Sequence, residues 1–408
     1  MTRFEYAQNL VEKDYKHFLL DIPARFGKSI CAIELVKKWN PERILILSGA
    51  TSTNSQWLEN IEKYNPTLLD KVDVLCYQSA HKIEDVYDCI LLDEMDTVTQ
   101  KRFGFISELN PKHWIGMSGT LEDEDIEYFR ILVKGKFYHA KVDFNQAVEW
   151  GILPEPKIYA VALTMDNTKR YLVYHNSSDK KKKNVVVPFN ERWNYLKDKT
   201  KNVLIQCTEV EYHELICQNF ERWKGYEDEF NLPYEERSKT IQFMQTKGFN
   251  QSTCRDKKMR IGNDRKKFFA DIKNRWFKKL FSQLPKDSRV LVFCNDTKQA
   301  DFLNEEFSVH SNKPGSLELV EEFNKGNIPY IFSNKMLDRG VDFLSVDYLV
   351  IIQSSMKQGG QIQKFARSGL SVAPKTILMY YPNTQDEKYV NEFLKGFKQE
   401  WIIRKSLM

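Results

Sequence analysis

Two short stretches carry residue types that could do phosphate chemistry. In Gly27-Lys28-Ser29 the lysine ammonium can meet the β and γ phosphates of a nucleoside triphosphate, and the hydroxyl can ligate Mg²⁺. The backbone N–H groups around them can curl about the anion. Farther along, Asp88-Cys89-Ile90-Leu91-Leu92-Asp93-Glu94-Met95-Asp96 is an apolar run that ends in carboxylates. Asp93 can hold the metal with Ser29, and Glu94 can polarise a water for in-line attack. Taken alone, Gly-Lys-Ser is common on surface turns and acidic pairs are common on solvated helix faces. Their order, with each attached to an apolar strand, favours one divided triphosphate site.

Such a site needs elements that bring its halves together. Apolar runs at Phe18 to Leu20, Arg43 to Leu47, Val72 to Tyr77, Cys89 to Leu92 and His113 to Met117 alternate with polar or helical stretches. This is the α/β pattern of a parallel sheet covered by helices, and it spans residues 1–150. Ligands on such sheets bind at the carboxyl ends of strands, where Lys28, Asp93 and Ser118 fall. A second α/β unit, residues 286–408, has strands at Val290 to Cys294, Tyr330 to Ser333, Tyr348 to Gln353 and Thr376 to Tyr381, with a helix from Thr297 to Phe307. Between them, residues 151–285 open on a proline hinge, Gly151-Ile152-Leu153-Pro154-Glu155-Pro156, followed by a strand-like Lys157 to Thr164. From Asn167 to Leu284 the pattern reads as helical and aromatic-rich. Phe269, Ile272, Trp276 and Leu280 share one face of the last helix, and Lys273, Arg275, Lys278 and Lys279 lie mostly off it.

Further motifs follow in a consistent order. Ser118-Gly119-Thr120 resembles the Ser-Ala-Thr motif that follows the acidic motif in superfamily 2 (DEAD-like) helicases and translocases, and Arg289 to Asn295 resembles the first strand of their second motor domain. Leu337-Asp338-Arg339-Gly340-Val341-Asp342 is similar to their Arg-Gly-x-Asp element, and Gln363-Lys364-Phe365-Ala366-Arg367-Ser368-Gly369-Leu370 to their final arginine motif. The resemblance spans nearly the whole chain and implies a compact motor of the kind often encoded by bacteriophages. It implies two RecA-like parallel-sheet domains, a helical basic central segment, and ATP with Mg²⁺ between the domains. Pro23, Gly27, Lys28, Ser29, Asp93, Asp342 and Gln363 would then hold the nucleotide. Glu94, Lys28 and Arg367 would act on the transferred phosphoryl, and Ser118 and Thr120 would couple the site to the nucleic-acid track. The expected output is nucleic-acid-dependent ATP hydrolysis; the competing reading is a helicase-like binding or regulatory module with little turnover.

The departures from that pattern have consequences. Ile22 stands where the strict phosphate loop has glycine, and Arg25 replaces a loop glycine. Arg3-Phe4-Glu5 occupies the place of an adenine-reading glutamine, with Gln8 the nearest amide. Ala366 replaces another glycine. Leu370 stands where a second arginine would reach the γ-phosphate, so turnover is expected to be slow unless Arg339 or a partner protein supplies charge.

Composition bounds the rest. The 408 residues, 42% hydrophobic and 29% charged, suit an ordinary globular protein with two or three cores. No apolar run is long enough to cross a membrane, and a cytoplasmic location is expected. The seven cysteines are scattered without a Cys-x-x-Cys pair, so neither a zinc site nor a disulfide framework is indicated. Of the seven histidines only His310 draws a functional note, and a structural role suits it better. Net charge is +5, yet Arg255 to Lys279 holds eleven Lys or Arg against three Asp, a local +8 that leaves −3 elsewhere. With Lys180-Lys181-Lys182-Lys183 in the same third, this basic surface suits a polyanion, with DNA favoured over RNA. Lys257, Lys258, Lys266 and Lys267 are candidate phosphate contacts there. Thr51, Gln56 and Ser79 are candidates in the loops after the first unit's strands.

Overall fold

A computed structural model describes residues 1–49, 52–168, 171–175, 203–310, 313–334, 346–354 and 375–407. Thr51, Arg339, Asp342, Gln363, Arg367, Leu370 and the four-lysine run lie outside the described residues.

The first unit is a six-stranded parallel sheet. Helix α1 (Arg3–Val11) is closed at its start by a reciprocal capping box between Thr2 and Glu5. Strand β1 (His17–Asp21) then leads through a loop into α2 (Lys28–Trp39). β2 (Ile44–Ser48), α3 (Ser52–Tyr64), β3 (Val72–Cys76), β4 (Cys89–Asp93), α4 (Gln100–Ile106), β5 (His113–Ser118), α5 (Asp123–Val133), β6 (Tyr138–Lys141) and α6 (Phe144–Glu149) follow. The strand order is β3-β2-β4-β5-β1-β6. Alternation of side chains about the strands feeds two cores. Phe18, Leu20, Leu91, Ile115 and Met117 pack with Ile33 and Val36 of α2, while Leu19, Ile90, Leu92 and Trp114 pack with Phe129 and Leu132 of α5. Both faces are covered, as the near-continuous apolar runs of these strands require.

The second sheet has seven parallel strands and draws one of them from before the basic segment. β7 (Lys157–Leu163) leaves the proline-rich stretch. β8 (Tyr171–His175) and β9 (Val203–Cys207) pair antiparallel, and α7 (Glu209–Glu229), α8 (Lys239–Thr246) and the 31-residue α9 (Gln251–Phe281) form the basic arm. The reading of Asn167 to Leu284 as helical throughout is thus corrected: β8 and β9 interrupt it. β10 (Val290–Phe293), α10 (Thr297–Leu303), β11 (Ser308–Val309), α11 (Ser316–Lys325), β12 (Tyr330–Ser333), β13 (Tyr348–Ile351), β14 (Lys375–Tyr380), a helix Gln385–Leu394 and β15 (Ile402–Leu407) complete the chain. The expected helix to Phe307 stops at Leu303. Asn304 turns extended, and its side chain accepts the Phe307 N–H at 3.0 Å.

The order β11-β12-β10-β13-β14-β7-β15 threads β7 between the last two strands, with Ile158 opposite both Thr376 and Ile402. On one face of this sheet, Val292, Val350, Ile377 and Met379 meet Tyr212 of α7 and Phe268, Phe269 and Ile272 of α9, so the base of the arm is part of this core. At its outer end the arm has a small core of its own, built on Phe230, Ile241 and Cys254.

Candidate active site

Strand order assembles the site. β4, β5 and β1 are neighbours, with Asp93 in register with Met117 and Asp21 with Ser118, so three strands deliver their carboxyl ends side by side. From β1 comes the loop Ile22 to Gly27, from β4 the Asp93-Glu94 pair, and from β5 Ser118-Gly119-Thr120.

The loop turns through two left-handed residues, Gly27 at φ 116° and Arg25 at φ 66°. Glycine tolerates that region freely, whereas Arg25 holds it at a steric cost. Phe26 N–H returns to Pro23 O at 3.2 Å, Phe26 is buried, and the Ile22 N–H donates to Ser118 O at 3.0 Å. α2 starts at Lys28 with no side-chain cap, so its first N–H groups and the positive end of its dipole face the loop. Lys28 Nζ bends back to Ile22 O, 3.4 Å away. Gly119 is needed for closeness: a Cβ there would stand 3.0 Å from Ile22 O and 3.2 Å from Ala24 N.

The carboxylates are held from several sides. Asp93 Oδ2 accepts the indole N–H of Trp57 at 2.9 Å, and the Tyr77 hydroxyl donates to the Asp93 main-chain oxygen at 2.9 Å. Burial pushes the Asp93 carboxyl above its usual range, against the pull of the Trp57 N–H, the Lys28 charge and the Glu94 N–H. Glu94 sits at φ 49°, a left-handed residue at a strand end, in the kind of strained conformation that functional sites retain. Asp96 ties the acidic stretch to the next strand: Ser118 Oγ donates to its Oδ1 at 2.8 Å and Thr120 Oγ1 to its Oδ2 at 3.2 Å. Tyr77, buried beside Asp93, Asp96 and Glu94, has its hydroxyl held well above the ordinary tyrosine range, chiefly by burial.

An uncapped helix start, an ammonium, a hydroxyl and a carboxylate converge here. Oxygen donors of this kind suit Mg²⁺, and the N–H cradle suits phosphate, so the residues present fit a metal–triphosphate pair.

Pro23, Gly27, Lys28, Ser29, Asp93 and Glu94 therefore share one edge of the first sheet. Gln56, exposed on α3, and Ser79, in the turn Tyr77–Lys82, lie farther along the same edge, after β2 and β3. Gln8 does not face the loop; its amide donates to Glu34 of α2 at 2.9 Å. Arg3 does reach it, with Cδ 3.4 Å from where a Cβ on Gly27 would stand and Nη2 donating to Ile152 O at 3.4 Å. On the arm, Lys267 is exposed, Lys257 lies over the Trp223 ring at 5.5 Å, and Lys258 pairs with Glu227. Lys273 and Arg275 are not available to a ligand as their places on the helix suggested. Lys273 is fully buried against Asp386 at 2.8 Å, and Arg275 pairs with Glu209. His310 is structural, with Nε2 3.2 Å from Asp301 Oδ1. All seven cysteines are free and six are buried.

Sequence reasoning left three contributors without a role: Asp96, Trp57 and Tyr77. Asp96 stood inside the acidic run, and its place three residues after Asp93 was the available signal. Trp57 and Tyr77 carried none, because each acts through a tertiary contact.

Residues 272–369 match the model of the Helicase conserved C-terminal domain. Over 95% of its length the chain superposes on 96% of the crystal structure of the Pyrococcus furiosus Hef helicase domain, with a TM-score of 0.51 and 13% sequence identity. No curated protein matches the chain. Two parallel-sheet units, a helical arm between them and a matched C-terminal domain together give this chain the two-domain RecA-like fold of a helicase core.

Proposed function

We propose that the protein hydrolyses ATP in response to nucleic acid and uses the cycle to translocate on or unwind it. The observation that carries this reading is the convergence of the uncapped start of α2, Lys28, Ser29 and the Asp93-Glu94 pair on the adjacent ends of β1, β4 and β5. Lys28 would hold the β and γ phosphates, Ser29 and Asp93 the metal, and Glu94 the attacking water. Mg²⁺, when bound, supplies charge neutralisation on the phosphate oxygens. Ser118 and Thr120, both bonded to Asp96, would pass changes at the carboxylates to the strand end that borders the loop. Arg367, Asp342 and Gln363 belong to the matched C-terminal stretch, and from there Arg367 would meet charge developing on the transferred phosphoryl. Gln56, Ser79 and the lysines of α9 would contact the nucleic-acid backbone, with DNA ahead of RNA.

Steady-state hydrolysis measured with and without DNA or RNA tests the reading. Lys28→Ala should lose most turnover, and Glu94→Gln should bind ATP without hydrolysing it. Wild-type protein that binds no nucleotide at millimolar ATP sinks the assignment. Binding without turnover, with or without nucleic acid, would instead favour a helicase-like binding or regulatory module.

A further inference from the structure

We propose that Trp57, with Tyr77, is a positioning residue that sets the Asp93 carboxylate for its metal and makes metal–nucleotide binding respond to nucleic acid; this rests on reading the site as one for ATP. A buried indole N–H needs an acceptor, and a tryptophan kept only for packing can satisfy itself on any nearby carbonyl. Trp57 is 3% exposed, its ring set among Ile33, Ile46, Ile61 and Leu91. Its N–H goes instead to Oδ2 of the carboxylate that ends β4, at 2.9 Å. That bond fixes which way the carboxylate turns. The Tyr77 hydroxyl fixes the same residue's main chain, at 2.9 Å.

The two grips come from the two elements that carry the nucleic-acid candidates of this sheet. Gln56 precedes Trp57 on α3, and Ser79 follows Tyr77 by two residues in the turn after β3. α3 is tied at its start to the neighbouring strands: Ser48 Oγ donates to Asn54 Oδ1 at 2.9 Å, and Asn54 Nδ2 donates to Val74 O at 3.3 Å. A backbone phosphate drawn onto Gln56 or Ser79 therefore pulls on a rigid unit whose inner side chains end on Asp93. Groups that orient a metal ligand from behind govern metal affinity about 10- to 100-fold, so the predicted effect is large enough to read directly.

Binding of a fluorescent ATP analogue, followed by anisotropy in Mg²⁺ and in EDTA, with and without a single-stranded DNA oligomer, tests this without requiring turnover. Trp57→Phe keeps most of the packing and removes the donor. It should melt cooperatively and bind the analogue in EDTA as wild type does. Its Mg²⁺-dependent gain should fall about 10- to 100-fold, and the oligomer's effect on that gain should vanish. Equal weakening in Mg²⁺ and EDTA would mark Trp57 as packing only and overturn the proposal, as would an undiminished Mg²⁺ gain. If Trp57→Phe does not melt cooperatively, Tyr77→Phe carries the same measurement, and a wild-type Mg²⁺ gain there overturns it. Wild-type protein that binds no analogue at all removes the ATP reading and this inference together; a normal wild type with unaltered variants removes this inference alone.

Discussion

His17 begins β1 with its Nδ1 accepting the Trp114 N–H at 3.2 Å, so protonation of that nitrogen would cost a bond between two central strands. Burial, with His113 and Lys16 beside it, lowers the His17 pKa to about 4, against 6.5 for the free side chain. A base with a depressed folded pKa leaves the unfolded chain binding more protons between those two values. Its contribution to stability is therefore present above about pH 6.5 and is lost as pH falls toward 4. Melting curves across that window should show His17→Asn, which keeps an acceptor near Nδ1, losing less stability on acidification than wild type. Equal acid sensitivity would place the cause elsewhere. At this scale the sequence was most legible in placement: Lys28, Ser29, Asp93 and Glu94, singled out by type and spacing, come together at the adjacent ends of β1 and β4 and the start of α2. Arg25 was read as standing in place of a loop glycine, and the structure adds that it holds a left-handed conformation, which glycine adopts without steric cost. The contacts of Trp57 and Tyr77 with Asp93 were out of reach, since a hydrogen bond across 36 or 16 positions leaves no local pattern.

Among elements, α9 shows how far periodicity carries. Its apolar stripe correctly predicted a packed face, with Phe269, Ile272 and Leu280 buried. Lys273 broke the rule that a lysine beside such a stripe reaches solvent. Its ammonium donates to Ile352 O, Gln353 Oε1 and Asp386, which fills all three donor positions inside the protein. Asp386 is satisfied in turn by the Gln353 amide and the Tyr381 N–H. Burial lowers the lysine pKa and Asp386 opposes the shift. A network of this kind is costly to break from one side, because a charge is left stranded. Lys273→Met should destabilise the protein by about 3–5 kcal/mol in chemical denaturation. Lys273→Met combined with Asp386→Asn should cost less than the sum of the two single changes. Strict additivity would show that the pair is not coupled. The same network reaches Gln353, at the end of the strand β13, so the root of the arm is locked to the second sheet rather than hinged on it.

For the whole molecule, the charge surplus seen in the sequence is partly spent internally. Arg255 and Lys258 both pair with Glu227, and Arg275 with Glu209, which reduces the cations the arm can offer a polyanion. Among the four lysines named as contacts, exposed Lys267 should therefore matter more than Lys258. If α9 lies on nucleic acid, Lys267→Gln should flatten the slope of log affinity against log salt by about 0.7 to 0.9, and Lys258→Gln should change it little. An unchanged slope for Lys267→Gln would remove that lysine from the binding surface. The two-sheet architecture was legible because parallel strands buried on both faces read as continuous apolar runs. The place of β7 was not, since a strand beside a proline stretch does not say which sheet it will join. That placement bears on how the protein is made. The six strands of the first sheet are all made by Lys141, and they can pair once that stretch has cleared the ribosome. β7 emerges soon after, but both its neighbours, β14 and β15, are made much later. At roughly 5 to 20 residues per second, its apolar Ile158, Ala160 and Val161 wait on the order of ten seconds or more for partners. A ribosome-bound chain thus carries a complete first sheet beside a bare strand, and that strand is where aggregation and chaperones compete until translation reaches Leu407.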